Sequence, residues 1–364
     1  MTANEQLRDL VLSHQIGLNR LANGEVRRVL SLLSRIDMLL RESLASSVGL
    51  PDLMRLERLL AEVQNAIPGV YRDMHTLMRE RLIEAGAVEG DVSLRLLERA
   101  LPREILFALA DAVVPSPAFI RQVALSRPFQ GKLLRHWNQR LEVNTRRALS
   151  KAIRDGIREG DSIPEIMRAI RGTRAAKFTD GILSRVTGAQ AEALTRTAVQ
   201  HVMQGVRLKT YQDSGVVNGY QWLSTLDMRT TLEYCVPRDH LMWDLNFTAI
   251  GHNYTWGGGP GRIHWNCRSS STAVLKSWRE LGVDKDDLPA SARASMDGRV
   301  AGTTDAESWL RRQLSNPARR RSLEQTWGVQ RVEWFEAGRL DVADMVKRDG
   351  GLLTLRELRQ IHGL

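Results

Sequence analysis

Residues 221–271 cannot form a helix of useful length, because residues that favour turns are unusually dense there. The run Gly-Gly-Gly-Pro-Gly at 257–261 is the densest part. Both cysteines of the protein, Cys235 and Cys267, also lie in this stretch, each with a histidine close by in sequence. We therefore predict a small, irregular module of strands and loops near 216–275, set in an otherwise helical protein.

The composition is that of an ordinary globular chain with an excess of basic residues. A length of 364 residues favours two or three domains, and an apolar content of 43% is enough to bury a core. The 52 Lys and Arg against 42 Asp and Glu give a net charge of +10. This charge favours a polyanionic neighbour such as nucleic acid, although a protein with many solvated surface arginines would show the same balance.

Cysteine content and hydropathy exclude two other classes. Two cysteines in this length argue against a secreted scaffold built on disulfides. The polar N-terminus does not resemble a signal peptide, and no apolar stretch reaches the roughly 18 residues of a membrane span. We expect a soluble protein made in a reducing cytoplasm, with no membrane partner.

Apolar periodicity predicts helices over most of residues 1–125. One stripe between Val29 and Leu40 recurs at three- and four-residue steps and is broken near Pro51. A second stripe follows and should stop at Pro68-Gly69. Two more helical patterns cover 74–85 and about 94–114, and Pro102 is a candidate point of interruption in the last one. The region is either an interaction bundle or a packing domain without a site.

The middle of the chain predicts long helices, and its end predicts a helical arm. One long helix should end at Gly160, a short one should start near Ser162 and Pro164, and another should cover about 188–213 before a strand. The expected fold is mainly α with a small α+β module. We divide it into an N-terminal helical region (1–125), a middle region ending with the module (126–275) and a basic, partly mobile helical arm (276–364).

Three groups of residues in a fixed order resemble a known family. They are the helix end at 152–162 followed by 164–166, the segment 194–198 that opens a helix leading to 214–216, and a paired motif. The paired motif consists of Trp222, Asp227, Arg229, Thr230, Cys235 and Asp239, answered by residues 263–268 with His264, Cys267 and Arg268. In this order, within 129–271, they resemble the phage Mu F-like minor head proteins, also called phage head morphogenesis proteins.

The resemblance implies a structural role. Such proteins are minor, portal-associated components of tailed-phage heads that assist head assembly, and some contact packaged DNA. We therefore expect several copies around the portal, docked to portal or major capsid protein and facing packaged DNA. The expected location is the head interior or portal region of the virion, after assembly in the host cytoplasm, with a further role in DNA ejection and no enzymatic activity. The alternatives are a nuclease or transferase acting as DNA enters the head, and a scaffold-like factor absent from the finished particle.

The cysteines and histidines of the module leave three interpretations open. Cys235, His240, His264 and Cys267 have the residue types of a tetrahedral structural zinc site, in a split Cys-x4-His and His-x2-Cys spacing. The family often carries a Cys-x-x-Cys pair and a final cysteine, where this chain has Thr231 and Ser269, so a four-cysteine site is not expected. The other interpretations are a Cys235–Cys267 disulfide and two buried free thiols. Apart from this structural zinc, no cofactor is expected.

A clamp is the favoured interpretation of the acidic and basic residues of the motif. Asp227 and Arg229 form either an ion pair or a turn clamp in which Asp227 accepts backbone N–H groups at a tight corner, and Arg268 can reach the same corner. Asp239 and His240 beside Cys235 form the only grouping that suits a cysteine nucleophile.

Two further patterns have a simple and a functional interpretation. The glycine-rich run at 257–261 lacks the Gly-Lys-Ser/Thr end of a phosphate-binding loop, so it predicts a flexible hairpin tip. Arg319, Arg320 and Arg321 form a short basic run that either contacts DNA phosphates or is a solvated helix face.

Overall fold

Helices make up most of the computed structural model, which describes residues 2–282, 292–301, 304–347 and 351–364. The fold is mainly α with a small α+β module, as predicted. In the first hundred residues the helices are α1 (Ala3–Leu33), α2 (Arg35–Ala45), α3 (Asp52–Asn65) and α4 (Ile67–Ala100). A 3-10 segment, Arg103–Leu109, follows Pro102.

The helix of the second stripe stops close to Pro68-Gly69, as predicted, since α3 ends at Asn65. These two residues lie in the first turn of α4, where proline is tolerated because its missing N–H would have no intrahelical partner. Two stripes that we separated, at 74–85 and from Leu94, belong to this one helix. It ends at Ala100, next to the interruption that we considered at Pro102, because proline cannot continue the helix.

The middle helices agree closely with prediction. They are α5 (Pro117–Ser126), α6 (Leu134–Glu159), α7 (Ile163–Arg171) and α8 (Ala189–Asp213), with a π-helical turn at Leu183–Gly188. Gly160 ends α6 with a φ of 78°, a left-handed conformation that favours glycine. Ser162 and Glu165 form a capping box at the start of α7, which satisfies two backbone N–H groups of its first turn.

A four-stranded antiparallel sheet forms the module. Its strands are β1 (Val217–Leu223), β2 (Met242–Asp244), β3 (Ala249–Ile250) and β4 (Ser270–Leu275), in the order β3-β2-β1-β4. In β1, Gly219 passes the carbonyl of Trp243 so closely that a Cβ would lie 2.4 Å from that oxygen. Glycine is required there because its backbone approaches the neighbouring strand directly.

The C-terminal region contains a hairpin that we did not predict. Strands β5 (Ala292–Ser295) and β6 (Gly298–Ala301) pair within the arm that we expected to be helical and partly mobile. The helices after the hairpin are α9 (Ala306–Gln313), α10 (Pro317–Trp327), α11 (Val329–Glu336), α12 (Val342–Met345) and α13 (Leu355–His362).

Two compact units divide the chain, and each is discontinuous in sequence. The first comprises 1–19, 86–117 and 203–364, and the second comprises 20–85 and 118–202. They cut across the three consecutive regions that we proposed, because α1, α4 and α8 each contribute residues to both units.

The first unit has two apolar clusters and the second has a helical core. One cluster joins the ends of α1 and α4 to the sheet, and the other joins α9–α13 to the loop after β1. The second unit buries residues of α2, α3, α6 and α7, including Ile36, Leu59, Leu149 and Ile170. No helix in the described part of the chain is both long and apolar enough to cross a membrane.

Candidate functional site

The pairing of β1 with β4 brings the two halves of the sequence motif together. Trp222 lies opposite Ser271, and Leu223 lies opposite Ser270. The strands are antiparallel, so the chain leaving β1 and the chain entering β4 lie side by side. This places Asp227 and Cys235 beside Arg268 and Cys267, although about thirty to forty residues separate them in sequence.

Asp227 and Arg268 form the predicted clamp. Arg268 donates from Nε to Asp227 Oδ2 at 2.8 Å and from Nη2 to Oδ1 at 2.5 Å. Asp227 Oδ1 also accepts the backbone N–H of Arg229 at 2.8 Å, and the hydroxyl of Thr225 donates to the carbonyl of Arg268 at 2.7 Å. The hydroxyl of Thr230 donates to the carbonyl of Thr225 and to Asp227. A bidentate arginine and two local donors therefore hold one carboxylate in one orientation.

Of the two predicted interactions between Asp227 and Arg229, the turn clamp forms and the ion pair does not. Arg229 contributes its backbone N–H, and its side chain is exposed. Only Met228 lies between the two residues, so the carboxylate reaches the N–H more readily than the side chain can fold back. Arg268, which approaches from the other strand, takes the position beside the carboxylate.

Cys235, His264 and Cys267 form a buried cluster. Cys235 Sγ lies 3.2 Å from His264 Nε2 and 3.7 Å from Cys267 Sγ. Both cysteines are free and 2% exposed, so the disulfide that we considered is not formed. The backbone N–H of Gly261 donates to Cys267 Sγ at 3.2 Å, and Thr231 Oγ1 lies 3.2 Å from His264 Nε2.

The tautomer of His264 follows from its second nitrogen. Nδ1 lies 2.8 Å from the carbonyl oxygen of Trp265, which can only accept, so Nδ1 carries a proton. In the neutral ring, Nε2 then carries a lone pair and lies 3.2 Å from Cys235 Sγ. A backbone carbonyl on the far nitrogen is the usual way in which proteins orient a metal-binding histidine.

The pKa values show how protons are shared in the cluster. Burial alone would raise the pKa of Cys235, but hydrogen bonds from Cys267 and His264 outweigh it and lower that pKa well below its ordinary value. Burial acts to lower the pKa of His264, and the hydrogen bond to Cys235 overcomes it and raises that pKa. Burial and the neighbouring Cys235 raise the pKa of Cys267. The three groups therefore share protons, and their contacts favour the thiolate form of Cys235 and the protonated form of His264.

The geometry of the cluster fits three ligands of one zinc ion. The ligand atoms of Cys235, His264 and Cys267 all lie within 4.8 Å of one another. Tetrahedral zinc places two sulfurs about 3.8 Å apart and a sulfur about 3.5 Å from a nitrogen. The distances of 3.7 and 3.2 Å are close to these values. Zinc would displace the shared protons, because it binds thiolate and neutral imidazole.

His240 is not a member of this cluster, which corrects the predicted ligand set. Its backbone is left-handed, with a φ of 64°, and its N–H and carbonyl bond to Trp222 and Gln221. The short spacing to Cys235 does not bring the two side chains together, because the 3-10 turn Val236–Arg238 lies between them. Thr231, which we had noted only as a departure from the family pattern, lies beside His264 instead.

Both carboxylate oxygens of Asp239 accept hydrogen bonds from backbone N–H groups. Its Oδ1 accepts the backbone N–H of Ser224 at 2.8 Å, and its Oδ2 accepts that of Ala306 at 2.8 Å. The second bond satisfies a donor at the start of α9, so this carboxylate joins the module to the C-terminal helices. The imidazole that contacts Cys235 Sγ is that of His264. Both oxygens of Asp239 accept backbone N–H groups, so the predicted grouping of Asp239 and His240 with Cys235 is not seen as a nucleophile with its base.

Trp222 anchors an aromatic core behind the site. Its ring lies 6.0 Å from that of Trp243 and 5.7 Å from that of Trp256, centroid to centroid. Arg238, which sequence reasoning missed, is 1% exposed and donates to the carbonyls of Thr255 and Tyr234. Nothing in the local sequence distinguishes this buried arginine from a solvated one.

The glycine-rich run is packed against this core, and the prediction of a flexible hairpin tip was wrong. Residues 257–261 do not join two paired strands, since β3 pairs with β2 and ends before them. Gly259 has a φ of 85°, and a Cβ there would lie 2.7 Å from the indole nitrogen of Trp256. The glycines therefore let the backbone lie on the indole and place the N–H of Gly261 at Cys267.

The basic run at 319–321 is mostly neutralised. Arg319 pairs with Asp297 at 2.5 Å, and Arg320 pairs with Glu336 at 2.9 Å and with Glu324. Arg321 is exposed. The three arginines therefore do not offer DNA an unopposed cluster of charge, which favours the solvated helix face.

A second buried polar group was not predicted. Arg207 and Glu89 are 0% and 1% exposed and form an ion pair of 2.6 Å. His14 lies 2.7 Å from the other oxygen of Glu89, and Arg207 also donates to the hydroxyl of Ser270 at the start of β4. The pair is separated by 118 residues, so no local pattern could have indicated it.

Comparison with known proteins leaves the family open: no protein-family model, no curated protein and no solved structure matches this chain.

Proposed function

We propose that this protein is a minor head protein of a tailed phage, acting in head assembly and DNA ejection. It docks to portal or major capsid protein, in several copies around the portal, and lies beside packaged DNA. Its work is binding, and the α+β module is the docking piece.

One observation carries this proposal. The two halves of the motif on which the resemblance depends meet in space, where Asp227 pairs with Arg268 and Cys235 lies beside Cys267. The residues fasten loops to each other and to the sheet. Both sulfurs are buried, whereas a reaction centre needs a group that a substrate can reach. This arrangement suits a module that acts by presenting a fixed surface to a partner protein.

Particle composition tests the proposal. Mass spectrometry of finished particles should detect the wild-type protein. Cys267→Ala should lower both the thermal stability of the protein and its incorporation into particles. The substitution removes a buried thiol that contacts Cys235 and the backbone N–H of Gly261. Met242→Ala is the control, since this side chain in the same module is 38% exposed. Absence of the wild type from finished particles would favour the scaffold-like alternative.

The enzymatic alternative has a separate test. Purified protein should not turn over DNA, and Asp239→Ala should change stability alone, because both oxygens of Asp239 bind backbone N–H groups. DNA cleavage by the wild type that Asp239→Ala abolishes without loss of folding would contradict a purely structural role.

We further propose that Cys235, His264 and Cys267 hold a structural zinc ion. Protein purified with zinc should contain about one ion per chain by elemental analysis, and chelation should lower the unfolding temperature. Thr231→Cys should tighten zinc binding, because Thr231 lies beside His264 Nε2 where a fourth ligand is missing among the described residues. His240→Ala should keep the metal. A zinc-free wild type, or full retention by Cys267→Ala, would rule the site out.

A further inference from the structure

The positive charge of the chain is concentrated in one segment. Residues 118–202 contain 16 Lys and Arg against 7 Asp and Glu, a net charge of +9 out of +10 for the whole chain. Residues 276–364, which we described as a basic arm, contain 16 against 14. A surface that meets a polyanion is therefore expected in the second unit and not in the C-terminal region.

Helix α6 collects five of these cations in one exposed stripe. We define the basic stripe as the side chains of five exposed residues: Arg140, Arg147, Lys151, Arg154 and Arg158. At 3.6 residues per turn they lie within about 40° of one line along the helix, and they span roughly 27 Å. The opposite face is buried through Leu141, Leu149 and Ile153. The stripe faces solvent because the apolar residues on the other side of α6 are buried in the core.

Few acidic groups oppose the basic stripe. Asp155 pairs with Lys151 and, at 2.8 Å, with Arg158. Arg140, Arg147 and Arg154 form no ion pair with any residue that the structure describes. Three of the five cations of the stripe thus keep their charge uncompensated.

A groove runs beside the stripe. It has a volume of about 500 Å³ and lies between α6 and the end of α3. Gln64, Arg146 and Ser150 line it together with residues of the stripe, and Arg146 donates to Gln64 at 3.0 Å. The basic surface is therefore concave and carries neutral hydrogen-bond donors along its edge.

We propose that the basic stripe binds the phosphate backbone of duplex DNA, without regard to base sequence. Its length corresponds to about eight base pairs, over which the duplex presents one charge per roughly 1.7 Å. Proteins that bind single strands stack bases on aromatic rings. Residues 140–158 contain no aromatic side chain, and the nearest ring on α6, that of Trp137, is covered by Arg140 at 5.7 Å and Lys132 at 5.9 Å. The inference rests on the proposed function for its biological partner, packaged DNA, and on the charge geometry for its chemistry.

Salt dependence of DNA binding tests the stripe. Anisotropy with a labelled duplex of about 30 base pairs, between about 50 and 200 mM NaCl, should give a steep dependence of affinity on salt. The double variant Arg147→Gln/Arg154→Gln should reduce the slope of log K against log salt by about 2 and the affinity roughly 10- to 100-fold. Arg168→Gln/Arg174→Gln is the matched control, since it removes the same charge from exposed residues of the same unit.

Several results would overturn the inference. They are absence of duplex binding by the wild type at low salt, equal loss in the stripe variant and the control, and a preference for an acidic polypeptide such as polyglutamate over DNA. If the stripe variant fails to fold, Lys151→Gln/Arg158→Gln replaces it, and an unchanged slope there counts against the stripe. Particle incorporation is measured in parallel, so wild-type protein found in particles but unable to bind DNA would refute the stripe and leave the proposed function standing.

Discussion

Asp227 shows how a single carboxylate can hold two distant loops. It accepts two hydrogen bonds from Arg268 and one from the backbone of Arg229. Its side chain is 21% exposed, as is that of Arg268, so solvent screens the pair only in part. The energy of the pair comes from its bidentate geometry and from the backbone N–H that it satisfies.

Asp227→Asn should destabilise the protein by about 2 kcal/mol, because the charge-assisted bonds are lost while the shape is kept. Chemical denaturation monitored by tryptophan fluorescence measures this, since eight of the nine tryptophans lie in the first unit. Arg229→Ala is the control and should change stability by less than about 0.5 kcal/mol, because its side chain is exposed. An equal loss of stability in the two variants would mean that the hydrogen bonds of Asp227 do not stabilise the protein.

Part of the site was predictable from single residues. Aspartate two residues before a tight corner, and arginine's fit to a carboxylate, were enough to predict the roles of Asp227 and Arg268. The same reasoning placed His240 with the cysteines and missed Thr231, because proximity along a loop does not determine which side chains face each other. The backbone path of the 3-10 turn at Val236–Arg238 decides that, and it depends on packing.

At the scale of elements, the buried Glu89–Arg207 pair joins α4 to α8. Ser270 extends the connection to β4, and His14 extends it to α1. Burial alone would raise the pKa of Glu89, but the Arg207 guanidinium and His14 outweigh it and hold that pKa below its ordinary value. A lowered pKa in the folded state means that ionised Glu89 favours folding.

The sign of the pH dependence follows from this direction. The stabilisation by Glu89 should be fully present above the unfolded pKa of about 4.3 and be lost as the pH falls through the lower folded value. Glu89→Gln should cost about 3–5 kcal/mol at pH 7, because it leaves Arg207 buried without its counter-charge. This penalty should narrow in acid, measured as the free energy of unfolding between pH 7 and pH 3.

Glu98→Gln is the control for this pH series, because Glu98 is exposed on the same helix. It should leave the pH profile of the wild type nearly unchanged. A Glu89→Gln penalty that stays constant down to pH 3 would show that the carboxylate contributes packing and not charge.

At the scale of the whole molecule, the N-terminal helix belongs to the core of the module. Leu7 and Val11 are fully buried in the same apolar cluster as Trp222. The backbone N–H of Leu275 donates to the side chain of Asn4 at 2.7 Å, across 271 residues of sequence. The module that we predicted as a local unit at 216–275 is therefore completed by the start of the chain.

Leu7→Ala should lower stability by about 2–5 kcal/mol, because it leaves a cavity beneath the sheet. The unfolding midpoint measured by tryptophan fluorescence should fall accordingly. Ile16→Ala is the control on the same helix, since that side chain is 40% exposed and should cost much less. An equal effect of the two substitutions would indicate that α1 contributes helix propensity and not packing.

The sequence by itself determined several of the helix ends. Gly160 and the Ser162–Glu165 capping box act over a few residues, so their effects can be predicted locally. Tertiary structure alone decided what those elements bury and which charges remain exposed. It placed Arg207 on Glu89, engaged Arg319 and Arg320 in ion pairs, and left the face of α6 with Arg147 and Arg154 in solvent. The reason is physical: a charge costs little in water and much in a core, and only the folded chain determines which of the two surrounds it.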